Sequence, residues 1–230
     1  MGLKHHPRVV TNGLVMYVDA ANPRSYSGSG LTVNGLVGGI GGTLVNGVGF
    51  GSTNNGSFVF DGTNDYIDCG NFADNLTDFT VIAWQKTSKT SSQQMVVAKL
   101  VNYSSGAGWA LITRPDSLGV SFLLQTNGSI WWVYSSNKIA TDDTWHHIAA
   151  SITNKVTTGL YVDGISYPVS SQGSGTIGSI SNSVSVRIGR DEANEYFYQD
   201  NISQAQIYNR ALTAQEVLQN YNATKRRYGK

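Results

Sequence analysis

Short runs of hydrophobic residues recur along the chain, and residues that favour turns follow each run. Between the runs lie Asn-Gly and Asp-Gly dipeptides, which are strong signals for tight turns. About a dozen strands at this spacing, without a helical period between them, predict an antiparallel two-sheet sandwich forming one domain. The predicted strands are residues 14–18, 57–60, 65–68, 79–84, 95–98, 109–112, 120–124, 130–134, 145–152, 160–162, 184–188 and 202–208.

Three segments add detail to this pattern. Residues 79–84 are apolar on both faces of a strand, which predicts a central strand. Residues 160–162 are predicted to pair with residues 145–152. The glycine-rich residues 28–51 predict an irregular loop over one end of the sandwich, with one short strand at residues 43–45.

One helix is predicted near the carboxyl terminus. Thr213 and Glu216 have the spacing of a capping box, in which each side chain bonds to the other residue's backbone N–H. An apolar stripe at helical spacing follows, made of Ala214, Val217, Leu218 and Tyr221. The domain organisation is therefore an extended arm at residues 1–11, a sandwich domain at 12–223 and a basic, solvated tail at 224–230.

Composition excludes several classes of protein. Charged residues make up only 13% of the 230 residues, and 16 Lys and Arg nearly balance 15 Asp and Glu, so no nucleic-acid groove is expected. The single cysteine, Cys69, excludes an intrachain disulfide and a cysteine-rich zinc site. The sequence contains neither a secretory signal nor an apolar stretch long enough for a membrane helix. The chain is therefore expected to stay in the cytosol unless another machinery carries it out.

Several motifs, in order along nearly the whole chain, resemble those of concanavalin A-like, laminin-G-type jelly-roll domains. This resemblance implies an all-β, two-sheet antiparallel jelly-roll sandwich with one short C-terminal helix. The motifs are Gly-Leu-Val-Met-Tyr-Val-Asp from Gly13, Phe-Asp-Gly-Thr-Asn-Asp-Tyr from Phe60, Phe-Thr-Val-Ile-Ala-Trp from Phe79, Trp-His-His-Ile-Ala from Trp145, Leu-Tyr-Val-Asp-Gly from Leu160 and Ile-Tyr-Asn-Arg-Ala-Leu-Thr from Ile207.

A narrower resemblance concerns the two ends of the chain. Residues 7–26 and 212–229 are similar to stand-alone laminin-G-like proteins of tailed bacteriophages. The resemblance implies a non-enzymatic structural protein of the virion, exposed on the particle as a capsid decoration or a small tail-associated subunit and assembled in the host cytoplasm. Other virion proteins are the expected partners, with residues 1–11 as the docking arm. A homo-oligomer is expected, with a trimer as the first hypothesis.

Catalysis is the first alternative, because jelly-roll sandwiches also include glycosidases, which need two opposed carboxylates. The chain has three glutamates. Glu216 is assigned to the capping box, and Glu192 and Glu195 lie together in a loop without the spacing of a catalytic pair. A Ser-His-Asp triad lacks the expected Gly-x-Ser-x-Gly context. We therefore predict no enzymatic activity and no catalytic residues.

Metal sites have candidates but no diagnostic spacing. His146 and His147 are adjacent in a strand, so their side chains point to opposite faces and are interpreted as structural. The pair at His5 and His6 is interpreted as part of the arm, with a metal site on a trimer axis as the alternative. No cofactor is predicted, although Ca²⁺ is considered because it prefers oxygen ligands. Its candidate ligands are Asp61, Asp65, Asp68, Asp191 and Asp200.

The strand near residue 130 contains the best candidate for a glycan platform. Trp131 and Trp132 are adjacent and face opposite sides, so at most one of them enters the core between the sheets. The other packs beneath a loop or a subunit, or is exposed to bind a sugar, with Asn127 and Tyr134 nearby. The competing function is therefore a carbohydrate-binding adhesin that recognises host surface glycans.

Overall fold

The structure, a computed structural model, describes residues 7–74, 76–104, 106–116, 119–126, 129–135, 140–173, 177–193 and 195–230. Its strands are β1 (Leu14–Asp19), β2 (Thr32–Val33), β3 (Gly42–Val45), β4 (Gly49–Gly51), β5 (Ser57–Asp61), β6 (Tyr66–Asp68), β7 (Phe79–Lys86), β8 (Gln94–Leu100), β9 (Gly108–Thr113), β10 (Val120–Thr126), β11 (Ser129–Ser135), β12 (His146–Thr153), β13 (Val156–Val162), β14 (Ile165–Tyr167), β15 (Val169–Gly173), β16 (Arg187–Ile188) and β17 (Gln199–Tyr208). One α-helix, α1 (Ala214–Thr224), follows them.

The strands form two antiparallel sheets. Sheet A has the order β14-β13-β12-β7-β17-β5-β4, with β1 also paired to β17. Sheet B has the order β15-β11-β10-β9-β8-β16-β6-β3-β2. The expected all-β sandwich with a C-terminal helix is confirmed.

The main core lies between the two sheets because alternate residues of each strand point inward. On β7, the side chains of Phe79, Val81 and Ala83 belong to this core. Phe79 contacts the facing sheet at Trp109 and Phe122, with ring centroids 5.6 Å and 5.9 Å away. The strand β7 lies between β12 and β17, as its two apolar faces predicted.

The glycine-rich segment differs from its prediction as an irregular loop. It contains three short strands: β2 and β3 extend one edge of sheet B, and β4 extends one edge of sheet A. Gly41 shows why glycine is needed here, because a Cβ at this position would lie 2.0 Å from the carbonyl oxygen of Val33. The segment therefore extends one edge of each sheet. Of its three strands, only the one at residues 43–45 was predicted.

The capping box at the start of α1 is confirmed. The Glu216 N–H donates to Thr213 Oγ1 at 3.3 Å, and the Thr213 N–H donates to Glu216 Oε2 at 2.9 Å. The predicted stripe is partly correct, since Val217 is buried and Tyr221 packs on the sheet, whereas Ala214 is exposed.

The two ends of the chain pack on the domain. The prediction of a solvated basic tail is wrong, because a 3₁₀ turn at Lys225–Tyr228 continues α1 and buries Tyr228. At the other end, the Val10 N–H donates to Asn220 Oδ1 of α1 at 2.8 Å, and Tyr208 Oη donates to the Val10 carbonyl at 2.8 Å. Val10, near the end of the predicted arm, is therefore bonded to α1. Within the described ranges, no helix has the length and apolar character needed to cross a membrane.

Candidate functional site

The residues predicted as a glycan platform lie where the structure describes little. Asn127 lies outside the described residues. Trp131, Trp132 and Tyr134 belong to β11, whose backbone pairs with β10 and β15, but their side chains lie outside the described part of the chain. The platform therefore stays a prediction.

The two strand histidines point to opposite sides, as expected. His146 contacts the carboxylates of Asp142 and Asp163, each at 3.0 Å. His147 is buried beside Trp84 and Tyr221, and burial lowers the pKa of its imidazole to about 4. The pair therefore does not form a joint metal site. His5 and His6 lie outside the described residues.

The five aspartates considered for calcium bond mainly to nearby backbone. Asp61 accepts from the backbone of Thr63 and Asn64, as the turn interpretation predicted. The other acceptor contacts are Asp65 with the Asp61 N–H, Asp68 with the Gly70 N–H, Asp191 with the Glu195 N–H, and Asp200 with the Ser88 N–H. Among the described residues, no group of three or more His, Cys, Asp or Glu side chains is arranged to hold a metal ion.

Each of the three glutamates has different partners. Besides capping α1, Glu216 forms an ion pair with Arg210 at 2.6 Å, and that partner lowers the pKa of its carboxyl to about 2. Glu192 forms an ion pair with Arg187, also at 2.6 Å. Glu195 is exposed, and its carboxylate lies 3.4 Å from the backbone nitrogen of Tyr103. Two of the three carboxylates are thus held by arginines.

A polar cleft of about 230 Å³ lies between sheet A and the C-terminal turn, lined in part by Asp19, Gln204, Thr224 and Arg227. Arg227 Nη1 and Asp19 Oδ1 are 3.0 Å apart, and Gln204 Nε2 donates to Asp19 Oδ2 at 3.1 Å. Because these partners join the turn to the sheet, we interpret the cleft as part of the domain's internal packing.

A different surface lies on the outer side of sheet B, where the loop between β16 and β17 crosses it. Ile67 of β6 points into the core, so Tyr66 points outward. The guanidinium carbon of Arg190 lies 3.9 Å from the centroid of the Tyr66 ring and 5.9 Å from that of Phe197. The loop therefore places an arginine between two half-buried aromatic rings.

The same loop contributes a second aromatic pair. The rings of Tyr103 and Tyr196 are 4.8 Å apart, and Tyr103 Oη donates to Gln93 Oε1 at 2.8 Å. Both tyrosines are half-buried and pack on an apolar cluster from β8, β9 and β10 that lies outside the main core. The cluster is made of Met95, Ala98, Leu100, Ala110, Ile112 and Leu123.

We call this region the tyrosine–arginine surface, defined by Tyr66, Tyr103, Arg190, Tyr196 and Phe197. Aromatic rings that keep one face accessible, with hydrogen-bonding groups beside them, are suited to a ligand that has both apolar and polar faces. In the sequence, this loop stood out only for its carboxylates at Asp191, Glu192 and Glu195. Tyr66 and Arg190 lie far apart in the sequence, so no local pattern of residues could predict their contact.

Comparison with protein families gives one match. The profile of the concanavalin A-like lectin/glucanases superfamily, in its laminin-G form, matches residues 61–218, which is more than half of the chain. Comparison with curated protein sequences gives no match.

Solved structures share the fold. The binding domain of Paraclostridial Mosquitocidal Protein 1 superposes with a TM-score of 0.69 and 16% identity, over 92% of this chain and 52% of that chain. Domain 4 of AbnA, a GH43 extracellular arabinanase from Geobacillus stearothermophilus in complex with arabinotriose, gives 0.70 and 13%, over 90% and 98%. Trypanosoma rangeli sialidase gives 0.65 and 12%, over 96% of this chain and 34% of the sialidase. This chain thus spans about half of the mosquitocidal structure and a third of the sialidase, and identities this low establish the fold alone.

Proposed function

This chain belongs to the concanavalin A-like lectin/glucanases superfamily, and on that premise we propose that it is a carbohydrate-binding domain without catalytic activity. We assign binding to the tyrosine–arginine surface on the outer side of sheet B. The observation that carries this proposal is the half-buried pair Tyr103 and Tyr196, whose rings pack on the outer apolar cluster of sheet B. Arg190 of the same loop contacts the half-buried rings of Tyr66 and Phe197.

The chemistry of sugars supports this assignment. A pyranose ring has C–H faces that stack on aromatic rings and hydroxyl groups that need hydrogen-bonding partners. The surface offers the Tyr103–Tyr196 pair for stacking, and the Gln93 amide and the exposed Glu195 carboxylate for hydrogen bonding. Two neighbours in fold point the same way: one is a binding domain, and the other is a domain solved in complex with arabinotriose.

The absence of catalysis is part of the proposal. A glycosidase needs one carboxylic acid and one carboxylate facing each other across the scissile bond. Glu216 caps a helix, and Glu192 forms an ion pair with Arg187. A search for polysaccharide hydrolysis tests this part. Turnover that disappears with Glu192→Gln or Glu195→Gln would contradict it.

The proposal is tested by binding to an array of oligosaccharides, followed by titration calorimetry on the strongest ligand. We expect Tyr196→Ala to weaken binding by roughly tenfold, because an aromatic contact is worth about 0.5–1.5 kcal/mol. Phe50→Ala is the matched control, since Phe50 is a partly exposed aromatic residue of β4 on the other sheet. Thermal unfolding of both variants confirms that they are folded.

Trp131→Ala and Trp132→Ala distinguish this surface from the platform predicted on β11. If binding is lost only with a tryptophan variant, the site lies on β11 and the assignment to the tyrosine–arginine surface is wrong. If no oligosaccharide binds the unmodified protein, the proposed function fails as a whole.

We further propose that the chain is exposed on a tailed-phage particle as a capsid decoration or a small tail-associated subunit, where host surface glycans would be its ligands. The two segments that resemble phage proteins, residues 7–26 and 212–229, lie against each other. Gln219 Nε2 donates to the Arg8 carbonyl at 2.8 Å, and Arg227 pairs with Asp19. The two segments that resemble phage proteins therefore form one contiguous region of the structure.

Quantitative mass spectrometry of purified particles tests the virion proposal. Hundreds of copies would support a capsid decoration, a few to a few dozen would support a tail subunit, and absence from the particle would contradict both. Light scattering on the purified chain tests the trimer hypothesis. Deletion of residues 1–6 tests the docking arm while leaving the bonds of Arg8 and Val10 to α1 in place; unchanged incorporation would contradict that role for the deleted residues.

A further inference from the structure

Arg190 differs from the other buried arginines of the described chain in having no acceptor. Only 9% of its surface is exposed. Its Nε is buried without a hydrogen-bond partner, as are the Nε atoms of Arg187 and Arg227, but the contacts that its guanidinium group makes among the described residues are the rings of Tyr66 and Phe197. A buried charge that lacks a hydrogen-bonding or ionic partner is costly, so such groups are normally paired.

The other arginines whose side chains are less than a fifth exposed, Arg114, Arg187 and Arg227, all have carboxylate partners. Arg187 Nη2 lies 2.6 Å from Glu192 Oε2, and Arg227 Nη1 lies 3.0 Å from Asp19 Oδ1. The ion pair with Arg187 also occupies Glu192, which is the glutamate nearest to Arg190 along the chain. Among the described residues, Arg190 therefore has no carboxylate at ion-pair distance, although the charges of Asp191 and Glu192 are close enough to attract it.

The stacking of Arg190 on Tyr66 defines how a ligand would reach it. A guanidinium that lies over a ring covers that ring with its flat face and keeps its N–H groups in its own plane, directed sideways. Burial and the neighbouring Arg187 lower the pKa of Arg190, but an arginine stays protonated at neutral pH. The group is thus a fixed, charged donor with unfilled hydrogen bonds.

We propose that Arg190 recognises an anionic substituent on the glycan, so that the ligand class is an acidic sugar with a carboxylate or a sulfate ester. This inference rests on the proposed carbohydrate-binding function. The planar fork of the guanidinium group forms two parallel hydrogen bonds with a carboxylate or with two oxygens of a sulfate. The rings of Tyr103 and Tyr196, on the same loop surface, would then contact the neutral part of the glycan.

The test uses the full chain and an array in which each neutral oligosaccharide has a carboxylated and a sulfated counterpart. We expect the acidic members to bind at least tenfold more tightly than their neutral counterparts. Arg190→Gln should remove that preference and leave the neutral affinity within about twofold. Arg190→Lys should restore part of it, because lysine keeps the charge but lacks the fork. Arg24→Gln, at an exposed arginine in the loop after β1, is the matched control and should not change the preference.

The outcomes separate the two proposals. Equal binding of neutral and acidic members, or a preference that survives Arg190→Gln, overturns the role of Arg190 and leaves the carbohydrate-binding function standing. The relative affinities of the carboxylated and sulfated members identify which anion is recognised. If no member binds, both proposals fail. A circular dichroism spectrum and an unfolding curve for each variant confirm that the fold is retained.

Discussion

Each outer face of the sandwich has an arginine packed on a tyrosine ring, but the two arginines differ in whether a carboxylate pairs with them. On sheet A, Arg227 lies over the ring of Tyr228 at 4.9 Å and forms an ion pair with Asp19. On sheet B, Arg190 lies over the ring of Tyr66 at 3.9 Å but has no carboxylate partner. The first arrangement is complete within the chain, whereas the second leaves a charged donor free to bind something else.

The surroundings of the two pairs explain the difference. The sheet A pair belongs to the C-terminal turn, and its Tyr228 is buried against Trp84 with ring centroids 3.9 Å apart. The sheet B pair joins Arg190, in the loop between β16 and β17, to Tyr66 of β6, whose ring is half-buried. We therefore interpret the sheet A face as structural and the sheet B face as functional. Substitutions should affect stability on the first face and ligand binding on the second.

The largest expected effect is on the sheet A face. Trp84→Ala should lower the free energy of unfolding by about 3–5 kcal/mol, because it removes a buried tryptophan on which both Tyr221 and Tyr228 stack. It also removes the bond from Trp84 Nε1 to Thr224 Oγ1, which is 2.8 Å long. Urea unfolding measures the change. Tyr196→Ala on the sheet B face is the comparison and should cost about 1 kcal/mol; equal losses would contradict the division between the faces.

The next prediction concerns the ion pair between Arg227 and Asp19. Asp19→Asn should destabilise the protein by about 3 kcal/mol, because it leaves the buried Arg227 without its anion. Asp116→Asn breaks an ion pair with Arg114 whose carboxylate is exposed, unlike that of Asp19, and should cost less than about 1 kcal/mol. Chemical denaturation of the two variants gives the comparison. A loss at Asp19 no larger than that at Asp116 would show that the buried pair does not hold the turn.

A smaller effect concerns pH on the sheet A face. The pKa of His147 is about 4 in the folded protein, below the ordinary value of 6.5, so the unfolded chain binds more protons between these values. Stability is therefore unaffected by this group above pH 6.5 and falls as the pH drops from about 6.5 to about 4, by roughly 2–3 kcal/mol. His147→Phe keeps a ring beside Trp84 and should flatten that part of the stability curve. A curve identical to that of the unmodified protein would exclude His147 as the cause.

The smallest effect on stability is expected on the sheet B face. Arg190→Met keeps an apolar stem against Tyr66 and removes a charge that has no ion-pair partner among the described residues, so the unfolding free energy should change by less than about 0.5 kcal/mol or increase slightly. Differential scanning fluorimetry without ligand and with an acidic oligosaccharide is the measurement. A large loss without ligand would mean that Arg190 is structural, as Arg227 is.

Much of the fold follows from local patterns. The double apolar face of residues 79–84 correctly predicted the central strand β7, and residues 160–162 pair with β12 as expected. Thr213 and Glu216 predicted the start of α1, because a capping box needs only neighbours three residues apart. The short strands β2, β4, β14 and β15 were missed, since they depend on pairing with neighbouring strands rather than on their own few residues.

The candidate site was harder to predict. The loop around Glu192 and Glu195 stood out in the sequence only for its carboxylates, and the charge of the C-terminal tail predicted that it is solvated. Tyr228 is buried there because the turn brings it onto Trp84, which lies far from it in the sequence. The platform of Trp131 and Trp132 remains a prediction that the binding experiments address.

By itself, the sequence determined most of the strand pattern, the capped helix and the sandwich class, because alternation and capping act between residues close together in the chain. The laminin-G character was implied by the resemblance of several motifs, and the family match over residues 61–218 then showed it. The tertiary structure alone decided which arginine has a carboxylate. Arg227 meets Asp19 and Arg190 meets Tyr66 through the packing of distant segments. The composition around each arginine does not reveal this difference, since whether a buried charge has a partner depends on long-range geometry.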